Sequence, residues 1–381
     1  AGHYSQTFGL GFFEYFQLCE DLGAAPIPIV NCGMCCQARG GPAVSMDELD
    51  PFVQDALDLI EFANGPVSSF WGSKRAAMGH PEPFNMKYLG AGNEQWGEAC
   101  FERYAVFYEA LKQRHPEIVL ITTSGPHPDD KWWRFAWEKF HSGTPADMVD
   151  EHLHRPPHWF LANSDRYDDY TRPGPKVFAG GFAAHDGRRN NLRAALAEAA
   201  FMTGLWRNAD IVKLAAYAPL FGRHGYAQWT PNLIWFDATR VYGTPSYHVQ
   251  KMYSLHRPDL ALPVKVDYAA DQSVPPVFAA AGRDEKTREV VLALVNPHAA
   301  PAPVNVHLNG GGRWSEKATA TILSGDPADE NSLDRPNAVE PRTTFIEIPS
   351  PDFEYTIAPH AFVILRLGEE RVLTTNTLKH E

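Results

Sequence analysis

A carboxylic acid at the end of a strand, with an amide just before it and an indole two residues after it, can hand a proton to a sugar oxygen. The stretch Tyr88-Leu-Gly-Ala-Gly-Asn-Glu-Gln-Trp-Gly97 holds such a set. Met86 to Gly92 reads as a short buried strand that runs straight into a polar turn. Glu94 would be the acid and Asn93 would hold a sugar hydroxyl. Trp96 would lower the local dielectric and keep the carboxyl protonated near neutral pH. By itself an Asn-Glu pair is more often a solvated turn, so the elements around it must decide.

Those elements alternate. Phe12, Tyr15, Phe16, Cys19 and Leu22 keep a helical spacing that Gly23 stops, and the apolar run Pro26 to Cys32 follows as a strand. A helix is expected from Asp47 to Asn64, ended by Gly65, and then comes the strand leading to Glu94. A stripe of Phe101, Tyr104, Ala105, Tyr108 and Leu111 leads to a strand at Ile118 to Thr122. Beyond a Trp-rich helix near Trp132 to Phe140, a short strand at Met148-Val149 opens into Asp150-Glu151-His152-Leu153-His154. Lys176 to Phe182 and Ile211 to Tyr217 read as strands on either side of a strong helix, Leu192 to Trp206, and Pro245 to Leu255 closes the series. Repeated βα units imply a parallel sheet covered by helices, and the polar clusters sit where strands end. In a TIM barrel that is the catalytic face. The alternation supplies six strands, two fewer than such a barrel needs. The expectation is therefore a (β/α)8 TIM barrel whose first two strands are missing from this chain, through a truncation, a proteolytic loss or a separate polypeptide that supplies them.

Past His256 the texture becomes β-rich, with short runs from Val264 to Tyr268 through Phe362 to Leu367 separated by turns such as Asn309-Gly310-Gly311-Gly312. Eight short strands at this spacing imply a β-sandwich with no catalytic cluster of its own. The domains are placed at 1–256 for the barrel part and 257–367 for the sandwich, with a polar tail at 368–381.

The 381 residues, 44% of them hydrophobic, can bury a sizeable core and favour two domains. A formal charge of −12 argues against a nucleic-acid partner. No apolar run reaches the roughly eighteen residues needed to span a membrane. Ten tryptophans and fourteen tyrosines suit a carbohydrate binder loosely, since aromatic faces stack on sugar rings. Five cysteines include one CxxC, Cys32 to Cys35, but no second pair or histidine cluster stands at metal-ligand spacing. Neither a metal nor a cofactor is expected.

Six strings in order resemble the α-L-arabinofuranosidases of glycoside hydrolase family 51. They are Gly92-Asn-Glu-Gln-Trp-Gly97, Asp150-Glu-His152, the run from Asn191 through Ala-Leu-Ala-Glu-Ala-Ala-Phe-Met-Thr-Gly204, Tyr217-Ala-Pro-Leu-Phe221, Gln228-Trp-Thr-Pro-Asn-Leu-Ile-Trp-Phe236 and Tyr242-Gly-Thr-Pro-Ser-Tyr247. Asp329-Glu-Asn-Ser-Leu333 in the sandwich adds to them. The resemblance implies a (β/α)8 barrel followed by a β-sandwich, and removal of terminal arabinofuranose from arabinan or arabinoxylan with retention. It gives Glu94 the acid/base role and makes Asn93, His152 and Gln228 sugar contacts, with Trp96 and His154 lining the site.

One departure bears on activity. The family's nucleophile stands in a Gly-Glu-aromatic-Ala-Ala-His context, and this chain reads Gly180-Gly181-Phe-Ala-Ala-His185, so the glutamate position is Gly181. Asp186 and Glu151 are the nearest carboxylates in sequence, and Glu151 is better placed to order a strand end. A second departure is His154, where the family usually has tyrosine near the nucleophile. The expected function is a retaining exo-arabinofuranosidase scaffold with impaired hydrolysis. The alternatives are a catalytically inactive arabinoside-binding protein and an endo-β-glucanase of the same family. The expected partner is an arabinofuranosyl oligo- or polysaccharide, a homo-oligomer is compatible with the sequence, and a secreted or periplasmic location is favoured over a cytoplasmic one.

Overall fold

The computed structural model describes residues 9–268, 275–310, 314–348 and 350–369. The start of the chain to residue 8, part of the expected turn at 309–312 and the tail from residue 370 lie outside the described residues.

Strand and helix alternate along the first part of the chain. In order they are α1 (Phe12–Asp21), β1 (Ile29–Val30), α2 (Asp50–Asn64), α3 (Phe70–Ala77), β2 (Tyr88–Ala91), α4 (Glu98–Arg114) and β3 (Val119–Thr123). Then come α5 (Lys131–His141), β4 (Met148–Arg155), α6 (Pro157–Ala162), β5 (Lys176–Ala184), α7 (Leu192–Arg207) and β6 (Val212–Tyr217). The six strands form one sheet in chain order. Its first three junctions are parallel, with Ile29 beside Gly90, Tyr88 beside Val119 and Ile121 beside Met148. β2 and β3 are buried along nearly their whole length instead of alternating, as strands covered on both faces must be.

Contacts divide the chain into two compact units, Ala1–Leu153 with Thr171–Phe182 and Ile211–Ala216, and His154–Tyr170 with Ala183–Asp210 and Tyr217–Glu381. In the first unit, α2 buries Val53, Ala56, Leu57, Ile60 and Ala63, a stripe at helical spacing, against Phe16, Leu89, Phe107 and Leu120. A smaller cluster of Ile121, Met148 and Phe178 fills the sheet's other side with Leu214 and Ala216. Two expected elements come out shorter than their apolar runs. Pro26 and Pro28 have no N–H to give a ladder, and only Ile29 and Val30 of the 26–32 run pair. The helix expected from Asp47 begins at Asp50, where Pro51 suits the first turn. The strand opening at Met148 is longer than expected and carries the polar residues up to Arg155.

In the second unit, α7 is buried at every residue from Ala194 to Leu205. An all-round apolar helix of that kind needs cover on all sides. It has it from α6, from α8 (Pro245–Leu255) and from strands of the antiparallel sheet. Between β6 and α8 a small three-stranded sheet forms from β7 (Phe221–Arg223), β8 (Ile234–Phe236) and β9 (Val241–Gly243). The remaining strands are β10 (Leu260–Leu262), β11 (Phe278–Arg283), β12 (Val290–Asn296), β13 (Ala302–His307), β14 (Trp314–Ser324), β15 (Arg342–Glu347), β16 (Asp352–Ile357) and β17 (Ala361–Glu369). They make a six-stranded sheet, β10-β11-β12-β17-β14-β15, and the pair β13-β16. The first of these strands lies at 260–262 and not at Val264 to Tyr268, because Pro263 interrupts pairing. The Asp329 to Leu333 string has a clear task here. The Asp329 carbonyl accepts the Leu192 N–H at 3.0 Å, the Pro327 carbonyl accepts that of Arg193 at 2.9 Å, and Asn191 caps α7 through the Ala194 N–H.

Candidate active site

The turn after β2 is held by its own side chains. Gly92 has φ +82, and a Cβ there would lie 2.8 Å from Gln95 Oε1 and 2.9 Å from Cys32 Sγ, so only glycine fits. Glu94 has φ +60, a left-handed conformation costing a non-glycine residue roughly 1–2 kcal/mol. Two amides hold it there. Gln95 accepts the Asn93 N–H, while Gln37 accepts the Trp96 N–H at 2.7 Å and donates to the Trp96 carbonyl at 3.1 Å. Asn93 is exposed, and the Trp96 ring stacks on Trp132 with centroids 6.3 Å apart.

β4 sorts its polar residues by the alternation of a strand. Glu151 turns one way and accepts the indole N–H groups of Trp133 and Trp137, both at 2.8 Å, anchoring α5 to the sheet. Asp150 and His152 turn the other way and join Glu94: His152 Nδ1 lies 2.8 Å from Glu94 Oε1, and its Nε2 lies 3.1 Å from Asp150 Oδ2. Burial opposes a charge on His152, but the Asp150 carboxylate and the hydrogen bonds to Asp150 and Glu94 outweigh it and push the imidazole up to about 10. The ring is thus protonated at neutral pH and donates from both nitrogens.

Asp150 also reaches β5, where its Oδ1 accepts the Gly180 N–H at 3.1 Å. A Cβ at Gly180 would fall 2.0 Å from that oxygen, so glycine is obligatory. At Gly181 the nearest atoms to an added Cβ are His152 Cε1 at 3.1 Å and Nδ1 at 3.2 Å, a tight contact that would require the ring to move by a few tenths of an ångström. Gly181 is also absent from the positive-φ glycines. Nothing in the backbone calls for glycine at 181. A Cβ at 181 would meet the same imidazole that Glu94 bonds.

The other expected site residues lie in the second unit. The His154 and His185 rings are 5.3 Å apart, and Trp229 packs edge-on to both, at 5.9 and 5.6 Å. Gln228 is exposed beside Trp229. Asp186, the other carboxylate near the 181 slot in sequence, is occupied by Asn191 Nδ2 at 2.6 Å and Arg193 at 3.1 Å. Asp150 and Gln37 carry much of the site's geometry, yet the sequence reading gave neither a role. The i, i+2 spacing of Asp150 and His152 on one strand was the available signal for the first, and a loop glutamine offers none.

Two family models cover the chain in succession, an alpha-L-arabinofuranosidase 1 domain over residues 2–172 and an alpha-L-arabinofuranosidase C-terminal domain over residues 171–361. The chain belongs to glycoside hydrolase family 51, the α-L-arabinofuranosidases. Within this family it is 43% identical over 273 residues to an extracellular exo-alpha-L-arabinofuranosidase of Streptomyces chartreusis, covering 71% of this chain and 33% of that one. It is 34% identical to alpha-L-arabinofuranosidase 2 of Arabidopsis thaliana, over 95% of this chain and 53% of the plant protein. An arabinose-bound MgGH51 α-L-arabinofuranosidase superposes with a TM-score of 0.86 at 30% identity, over 96% of this chain and 58% of the other. The arabinose complex of the Thermotoga maritima enzyme, with a TM-score of 0.75 at 21% identity over 95% of this chain and 80% of that one, shares the fold. The family-51 fold is a TIM barrel followed by a β-sandwich, and the six parallel strands and the antiparallel sheets are its parts in this chain. The chain spans between a third and about half the length of these curated relatives. No helix among the described residues is long and apolar enough to cross a membrane.

Proposed function

We propose that the chain is the scaffold of a retaining, exo-acting α-L-arabinofuranosidase in which Gly181 occupies the nucleophile position. Its substrates are terminal arabinofuranosyl groups of arabinan- and arabinoxylan-type chains. Glu94 is the acid/base, and Asn93, Trp96, His152, His154 and Gln228 hold the sugar. The observation that carries the reading is residue 181 itself: a side chain there would meet the His152 ring that Glu94 bonds, and glycine supplies no side-chain oxygen. Retention requires two carboxyls about 5–5.5 Å apart, one to protonate the leaving oxygen and one to attack the anomeric carbon. Glycine cannot attack, so hydrolysis by double displacement is lost or very low. The "extracellular" in the Streptomyces relative's name supports a secreted or periplasmic setting.

A second reading, a non-catalytic arabinoside-binding protein, draws support from His152. Glu94 Oε1 is engaged by the protonated imidazole, so that oxygen cannot serve as the donating oxygen of a general acid. The test is turnover of a nitrophenyl arabinofuranoside with and without azide or formate, beside binding of arabino-oligosaccharide. In a rescued reaction the added anion forms the bond to the anomeric carbon as nitrophenolate departs with its electron pair, so no proton from Glu94 is needed. Rescue supports the first reading, and binding without rescue supports the second. Turnover without any additive would overturn both, and cleavage of cellulose-type chains would move the activity to an endo-glucanase.

A further inference from the structure

A second polar cluster lies past the end of β5. Glu198 sits mid-way along α7 and is 0% exposed. Its Oε1 accepts the N–H of Ala184, the last residue of β5, at 2.8 Å. Ser246, in the first turn of α8, faces the carboxyl, and Tyr217, the last residue of β6, faces Ser246 and Asn190. Glu198 Oε2 and Ser246 Oγ are shut off from solvent and have no partner outside this cluster. Asn190 continues the chain of groups, its Oδ1 accepting from Trp235 Nε1 at 3.0 Å and from the Asn232 N–H at 3.4 Å. Asn232 Nδ2 in turn donates to the Trp229 carbonyl at 2.6 Å. A continuous buried path thus runs from the strand end, three residues past Gly181, to the loop bearing Gln228 and Trp229.

We propose that Glu198 is a positioning residue which, as a neutral carboxylic acid, fixes the ends of β5 and β6 and the first turn of α8 so that Gln228 and Trp229 are presented to the arabinofuranoside. The proposal rests on the arabinoside reading above. A neutral carboxyl can accept from the Ala184 N–H at one oxygen and pair with the Ser246 hydroxyl at the other without placing a charge in the interior. Ionised, it would be a buried charge, and among the described residues no cation offsets it. Burial pushes the carboxyl up to about 8, against the opposing pull of Ser246 and the Ala184 N–H. Among the described residues the one titratable group facing it is Tyr217, whose hydroxyl burial keeps neutral, and Ser246, Asn190 and the Ala184 amide carry no charge. Above that pH Glu198 becomes a buried charge with no cation beside it among the described residues, and the loop loses its support.

The experiment uses the chain as it stands, with Glu198→Gln and Ser246→Ala as variants. Arabino-oligosaccharide affinity is measured from pH 6 to 9, beside hydrogen–deuterium exchange of residues 218–236 corrected for intrinsic rates. The unmodified chain is expected to lose affinity about tenfold between pH 7 and 9, in proportion to the competent fraction, with faster exchange in 218–236. Glu198→Gln, which stays neutral, should bind as well at pH 6 and lose neither affinity nor protection by pH 9. Ser246→Ala should move the alkaline limb without altering affinity at pH 6. An alkaline loss that persists unchanged in Glu198→Gln, or equal protection of 218–236 in both proteins at pH 9, would overturn the proposal. If no arabinoside binds at any pH the arabinoside reading fails, and the exchange comparison alone decides the role of Glu198.

Discussion

Asp150 on β4 and Glu198 on α7 are both buried acids, and their surroundings treat them differently. Asp150 shares a proton-bearing imidazole with Glu94, so a cation stands between two carboxyl groups. Among the described residues Glu198 has hydroxyls and an amide around it but no cation, and burial keeps its proton on. The same low-dielectric interior therefore stabilises charge in one place and neutrality in the other. The deciding factor is whether a counter-charge was folded in beside the acid.

The comparison can be broken most severely at His152. His152→Leu removes the cation and leaves Asp150 and Glu94 facing an apolar group; a loss of about 3–5 kcal/mol is expected, measured by urea unfolding at pH 7. An unchanged midpoint would mean the imidazole carries no charge in the fold. In the unmodified chain, the folded value of His152 lies above its ordinary 6.5, so its stabilisation is complete below about 6.5 and fades as pH rises through about 10. Glu198 acts over a different window. Its folded value exceeds the ordinary 4.5, so the unfolded chain releases the proton first and stability falls as pH climbs from 4.5 to about 8, roughly 1.4 kcal/mol per unit. Glu198→Gln should abolish that slope between pH 5 and 6.5, where His152 does not yet contribute, and thermal unfolding across this range tests it.

Smaller effects separate the two adjacent glycines. Gly180→Ala drives a methyl into Asp150 and should cost about 1–3 kcal/mol, whereas Gly181→Ala should stay within about 1 kcal/mol, both read from denaturant midpoints. Equal costs would mean that 181 is glycine for packing, and the vacant-nucleophile reading would lose its structural support. The smallest change expected is Gln37→Ala, which frees the Trp96 backbone at about 1 kcal/mol and loosens the turn that holds Glu94. Weaker arabino-oligosaccharide binding with little change in melting temperature would place that clamp in recognition.

Much of this arrangement was legible in residue order. The six parallel strands, the helices after them and seven of the eight sandwich strands follow apolar periodicity, which is a local property. The misjudged ends have local causes too, since Pro26, Pro28 and Pro263 lack the N–H that a ladder requires. α7 was clear as a helix, but its burial on every side was not, because the elements that cover it come from far along the chain. Asp150 is not legible from the sequence around position 181, because the strand pairing of β4 and β5 brings it to Gly180 from thirty residues away.

By itself, the order of residues determined which elements form and that Glu94 stands in a tight turn after a buried strand. These depend on residue type and short-range spacing. Only the tertiary structure decided that His152 is charged, that Glu198 is neutral, and that a side chain is far more crowded at 180 than at 181. Charge state and available room are set by atoms that approach from distant parts of the chain, and in a buried site those atoms replace the solvent that would otherwise fix both.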